Sequence, residues 1–185
     1  MEPKFQKILI TLVIGCTLLS GCKKDEKETK NYFSYGEKES LVGSAFTFYM
    51  GKLAENNYGK ELYLVSEGIT FYDKNGVIDS VSGKGNYLVL RIFNTDSIGI
   101  ASGGYVYNPS FDNYSVGTFG FDSGLILNFD AMPPDVSEEV LINGGEITVV
   151  RNNNEYEISF DLDTEANKAI KGFYKGKLKE YFYKK

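Results

Sequence analysis

The chain has 185 residues, with 20 Lys and Arg against 25 Asp and Glu, a net charge of −5, no His and two Cys. The lack of His removes the commonest general base and metal ligand, and with them Ser/His/Asp and Cys/His arrangements and imidazole-dependent zinc or iron sites. Arg91 and Arg151 are the only guanidinium groups in an acidic chain, a poor basis for nucleic-acid binding, which depends on cationic neutralisation of phosphates.

The start of the chain has three zones. Lys4 and Lys7 precede an almost wholly apolar run over 8–19, and Leu19-Ser20-Gly21-Cys22 follows it. That order predicts an export signal over 1–21. The run is shorter than the ~20 residues a membrane-spanning helix needs. The four residues ending in Cys22 resemble the lipobox of bacterial lipoproteins. The resemblance implies cleavage before Cys22, diacylation of its thiol and acylation of the new amino group. At ~0.8 kcal/mol per buried methylene, such a lipid would hold the protein on a membrane, its first expected partner.

Residues 22–30 then form a lipidated, charged tether, with Lys23-Lys24-Asp25-Glu26-Lys27-Glu28 after the cysteine. No Asp directly follows Cys22, and a lysine ahead of two acidic residues is similar to the surface-export signal of Bacteroidetes lipoproteins. The resemblance implies the outer membrane, and the cell surface within it. A solvated charged linker is the plainer reading of the same residues. Cys16 leaves with the signal and Cys22 carries lipid, so the mature domain must fold without a disulfide. Loss of Lys4, Lys7 and Glu2 takes the charge from −5 to −6.

Residues 31–185 read as one all-β domain. Phe46, Phe48 and Met50 share a strand phase, as do Leu62 with Leu64, and Leu88 with Leu90 and Ile92. Turns are expected at Asp73–Gly76, Ser82–Gly85, Asn108–Ser110 and Asn143–Gly145. Residues 117–121 and 125–129 add two strands, and Met132-Pro133-Pro134-Asp135 ends the second. The clearest pattern lies near the end: Tyr156, Ile158, Phe160 and Leu162 alternate with Glu155, Glu157, Ser159 and Asp161. With Ile147 and Val149 before them and Asn152-Asn153-Asn154 between, residues 145–162 form a hairpin. A last long strand, from Ala169 towards Tyr183, puts Ile170, Gly172, Tyr174, Gly176 and Leu178 on one face. Roughly ten short strands fit an antiparallel β-sandwich or β-barrel, a lipocalin-like barrel included.

Several of these segments resemble a group of small Bacteroidetes lipoproteins. They are Asn31–Gly36, Leu62–Ile69, Gly85–Leu90, Gly103–Tyr107, Gly144–Val149, Tyr156–Ile158 and Ile170–Gly176. In that group a G-x-hydrophobic-T-V strand, a Y-x-I strand and a G-x-Y-x-G strand close the domain. The resemblance implies a β-rich barrel or sandwich and carries over no catalytic residue.

The remaining chemistry is sparse. Asp112, Asp122, Asp130 and Asp135 fall in one aromatic stretch, and paired carboxylates can hydrolyse glycosides. Asp also favours turns for local hydrogen-bonding reasons, and no pairing geometry shows in the spacing. Tyr105, Tyr107, Phe111 and Tyr114 are a candidate binding patch, with Phe119 and Phe121 nearby; at strand phase such residues also pack cores. No ordered Asp/Asn ligand spacing suggests calcium, and no cofactor is expected. Asp79-Ser80-Val81 and Asp96-Ser97-Ile98 resemble the Asp-Ser/Thr-aliphatic O-glycosylation acceptor of exported Bacteroidetes proteins, which implies Ser80 and Ser97, both in expected turns. The leading expectation is a non-catalytic envelope lipoprotein that binds a protein or ligand through its loops. A glycan-binding accessory module comes second, and a carboxylate-dependent glycoside hydrolase last.

Overall fold

The computed structural model describes residues 29–110, 114–120, 122–132, 134–135 and 138–182. The expected export signal, Cys22, the tether through Glu28, Phe111, Asp112 and Phe121 lie outside the described residues. Within them the chain is all-β, as its alternating patterns predict. Thirteen strands run in order: β1 (Tyr32–Tyr35), β2 (Lys38–Ala54), β3 (Asn57–Ser66), β4 (Ile69–Lys74), β5 (Val77–Asn94), β6 (Gly103–Asn108), β7 (Thr118–Gly120), β8 (Gly124–Ala131), β9 (Pro134–Asp135), β10 (Glu138–Asn152), β11 (Glu155–Thr164), β12 (Ile170–Gly176) and β13 (Lys179–Phe182).

Short turns with positive φ join many neighbours. Asn75 (φ 57°) and Gly76 (φ 77°) link β4 to β5, with Lys74 opposite Val77. Both central residues with φ > 0 make the turn whose twist matches that of paired strands. The expected hairpin over 145–162 is present as β10–β11, turned at Asn153 (φ 59°), with Ile147 opposite Phe160 and Val149 opposite Ile158.

The ladder closes on itself. β10 pairs with β11, and the path continues through β12, β1, β2, β3, β5 and β8 back to β10. Closure depends on two long strands. One half of β5 (Lys84–Val89) and one half of β10 (Glu138–Leu141) both pair with β8. Their other halves pair with β7 and β6, which also pair with each other. The result is an irregular barrel rather than a uniform one. Closure satisfies strand edges that would otherwise be open to foreign pairing.

Inward-facing residues fill the barrel: Leu62 and Leu64 of β3, Leu88, Leu90 and Ile92 of β5, Leu125 of β8, and Ile147, Val149, Ile158, Phe160 and Leu162 of the last hairpin. A second cluster covers the outside of β2, β3 and β5. Phe46 lies at its centre, stacked on Tyr63 (centroids 5.0 Å apart) and edge-on to Phe71 (5.0 Å) and Tyr181 (5.4 Å). Strand β4 and the first half of β5 form a hairpin that folds back over this face, bringing Ile69, Phe71, Ile78 and Val81. Burial on both sides explains why β3 is covered almost throughout.

Several sequence expectations need correction. The strands are more numerous than ten and not uniformly short: β2 has 17 residues, β5 has 18 and β10 has 15. Ser82–Gly85 and Asn143–Gly145 are not turns but irregularities inside β5 and β10. At Gly83 (φ +92°) β5 passes so close to the Gly68 carbonyl that no Cβ fits, and here the chain leaves the outer hairpin for the barrel. The final strand breaks after Gly176, where the Tyr174 hydroxyl donates to the Lys177 carbonyl (2.7 Å). Beyond the break β13 pairs with β2 in parallel, and β6 with β7 is also parallel, so the sheet is mixed.

The last hairpin supports a direct test of the strand phase. Phe160 is buried and its ring covers Gly172, where a Cβ would collide with it. Glu157 points outward to Lys175 (2.6 Å), an exposed ion pair. Phe160→Ala is predicted to cost ~3–5 kcal/mol. Glu157→Ala is predicted to cost at most ~1 kcal/mol. Urea unfolding of both variants checks the difference, and equal losses would contradict the phase.

Candidate functional site: the two ends of the barrel

Along β5, Asn86 and Asn94 both point inward at opposite ends of the barrel. They lie eight residues apart, about 26 Å at ~3.3 Å per residue. The two ends are built differently.

The Asn94 end is plugged. Residues 95–102 fold across it, held by Asn94, whose Oδ1 accepts the N–H groups of Asp96 (2.9 Å) and Ala101 (3.1 Å). Asp96 accepts the N–H groups of Ile98 (2.7 Å) and Gly99 (3.2 Å) and pairs with Arg151. Ile100 enters the core, and the Tyr105 hydroxyl donates to the Ala101 carbonyl (2.6 Å). Beneath the loop, Lys60 is fully buried. It donates to the Ser97 carbonyl (3.1 Å), pairs with Glu180, and lies 4.4 Å from the centre of the Tyr49 ring. A buried lysine needs this set of partners, since an unpaired charge there would be costly.

The Asn86 end is open. A cavity of about 470 Å³ lies between the β1–β2 turn, β5, β8 and the start of β10. Its floor is Phe33 and Leu125, both fully buried, and its walls include half-buried Tyr35 and Leu127. Above them are Ser40, Asn86 and Asn128. The outermost layer is charged and exposed: Glu37, Lys38, Glu138 and Lys168. The Lys168 ammonium sits 5.2 Å from the centre of the Tyr35 ring, within cation–π range.

A β-bulge builds the lip. The β5–β8 register shifts between Gly85 and Tyr87: Leu127 and Asn128 of β8 together face the single residue Asn86 of β5, and Asn128 takes a positive φ (55°). Bulges re-aim side chains at barrel rims. Here the Asn86 amide donates to Ser40 Oγ (3.0 Å), and its Oδ1 accepts the N–H of Asn128 (2.8 Å). Its own N–H donates to Ser66 Oγ (2.8 Å). One side chain thus braces β2 to β8 across the end of β3.

The residues singled out from sequence fall elsewhere. Tyr105 is 2% exposed and belongs to the core, with its hydroxyl pKa pushed up by burial and by the nearby Asp96 charge. Tyr107 is half-buried against Phe119 (5.5 Å), while Tyr114 is exposed and packs on Phe93 (5.0 Å). Because strand alternation turns Tyr105 inward, these tyrosines do not form one exposed patch. Ser80 is exposed but lies in β5 opposite Tyr72, not in a turn. Ser97 is exposed in the plug loop. Asp122 pairs with Arg91, which also holds Glu61 (2.8 Å), and Asp130 pairs with Lys84 (2.5 Å). Among the described residues no group of three or more Cys, Asp or Glu is placed to hold a metal. The mouth residues were missed because they come from five separate segments. The Gly85-Asn86 step was the one local signal.

No known protein family, characterised protein or solved structure matches the chain.

The plug has a pH signature. Burial alone would raise the Asp96 carboxyl, but the N–H groups of Ile98 and Gly99 and the Arg151 guanidinium outweigh it and hold the group below its ordinary 3.8. A carboxyl lowered by folding contributes stability above its unfolded pKa and loses it as pH falls through the folded one. The stability difference between the wild-type chain and Asp96→Asn is therefore predicted to be full at pH 7 and to shrink below about 3.8. Urea unfolding at a series of pH values measures it, and a constant difference would contradict the assignment.

Proposed function

We propose that this chain is an envelope lipoprotein, anchored through Cys22 at the outer membrane and displayed at the cell surface, whose barrel holds a small ligand in its open mouth without transforming it. The observation that carries the reading is the asymmetry of the barrel. One end is closed by a fixed loop, and the other opens into a cavity of about 470 Å³ with an apolar floor and converging polar groups. Small-ligand sites have this size, about 300–1,000 Å³, and this mixture of lining.

Binding is favoured over catalysis because, among the described residues, the layer directly above the floor offers amides and a hydroxyl, while carboxylates and ammonium groups stay at the solvent-exposed rim.

The test compares wild type, Cys22→Ala and Leu127→Trp, each expressed in the native cell. Cys22→Ala is predicted to accumulate as an uncleaved precursor without lipid, read by intact-protein mass spectrometry. Leu127→Trp is predicted to fold, to be lipidated, and to lose a small molecule that co-purifies with wild type. Normal processing of Cys22→Ala would contradict the anchor, and identical small-molecule content in wild type and Leu127→Trp would contradict the site.

A further inference from the structure

Resting on the reading of the mouth as a ligand site, we infer that the ligand is a neutral saccharide, held with a C–H face against the apolar wall and its hydroxyls toward Ser40, Asn86 and Asn128. Three features of the cavity lead to this class, and each removes another.

Depth removes lipids. Below Phe33 and Leu125 the barrel is packed with side chains from every wall, so nothing can thread along its axis. A long acyl chain needs such a channel. This cavity ends at its floor and takes a ring-sized ligand.

Charge layering removes ions. The charges, from Glu37, Lys38, Glu138 and Lys168, sit at the exposed rim, two of each sign, so their fields oppose each other. Beneath them, Ser40 and Asn86 are half-buried and neutral. A carboxylate or ammonium entering this layer would lose its hydration and find no buried counter-charge, a cost that hydrogen bonds to neutral groups do not recover. The part of the ligand that enters is therefore uncharged.

Polar groups among the apolar lining remove purely apolar molecules. Asn86 and Ser40 are already fixed by bonds to each other and to Asn128 and Ser66, so their remaining capacity is presented at set angles. The Tyr35 ring and Leu127 line the same cavity beside them. An apolar ligand would cover these polar groups without bonding to them, which costs free energy. A sugar ring offers what the walls ask for, hydroxyl donors and acceptors around its edge and C–H groups on its face.

Ligand-observed saturation-transfer NMR on the mature lipidated chain in detergent micelles tests this. The probes are the neutral disaccharides cellobiose, maltose and chitobiose, with digalacturonic acid as the anionic counterpart and lauric acid as the apolar one. At least one neutral disaccharide is expected to give saturable transfer, strongest at C–H protons of one ring face. Digalacturonic acid is expected to bind at least tenfold more weakly, and Leu127→Trp to abolish the signal while the chain still unfolds in one cooperative transition above the temperature of the measurement. Leu127-dependent transfer to lauric acid or digalacturonic acid, with none to the neutral sugars, would overturn the saccharide assignment and leave the mouth as a ligand site. Transfer to a neutral sugar that persists in Leu127→Trp would overturn it too, because the sugar would then sit elsewhere.

Discussion

Closure of the hydrogen-bonded ladder between β5 and β10 is the constraint on which the rest of the structure depends. Along the edge that faces the seam each of these strands has two partners, β8 for one stretch and β7 or β6 for the other. Without that shared lane, Leu125 would leave the barrel, and Leu88 and Val140 would each lose a neighbour in the filled interior. Thiols lie only at Cys16 and Cys22, both ahead of the domain, so no covalent link supports the seam. It is held by backbone pairing and by the core that the pairing encloses.

Closure also accounts for the difference between the two ends. At the far end of β5 the chain crosses over the barrel before entering β6, and Asn94, Asp96 and Arg151 fix that crossing in place. At the near end β5 has just come back from the outer hairpin through Gly83, and the bulge in β8 opposite Asn86 accommodates the change of direction. There the Asn86 amide reaches across the opening to Ser40 and Asn128 instead of filling it with an apolar side chain. The outer aromatic cluster around Phe46 serves the same end of the molecule. It anchors the hairpin whose return path forms the lip.

Much of the architecture was legible where a strand has one wet face. The β10–β11 hairpin, with Phe160 inward and Glu157 outward, follows from alternation alone, because a one-residue slip would expose the whole apolar set. Legibility fails where both faces are covered. In β3, Lys60 and Glu61 carry charge and yet are buried, one sealed in the plug and the other under Arg91, and nothing in their alternation marks this. Glycine was ambiguous in a different way. The positive φ at Gly83 and Gly145 is real, but it bends long strands and does not end them. Tyr105 stood between a binding patch and the core, because an aromatic run carries no sign of which phase faces inward. Beyond the Gly85-Asn86 step the mouth was not legible, since Tyr35, Asn86, Leu127 and Lys168 are brought together only by closure.

Amide hydrogen exchange across the seam tests the central claim most directly. In a closed barrel the amides of Leu88 on β5, Leu125 on β8 and Val140 on β10 lie in the same ladder as those of Leu62 and Leu64 on β3. They are predicted to exchange through one cooperative opening, with protection equal to that of the β3 amides and the same dependence on urea. Fast exchange of the β8 and β10 amides while β3 stays protected would mean that the seam opens independently, and that the domain is an open sheet and not a barrel.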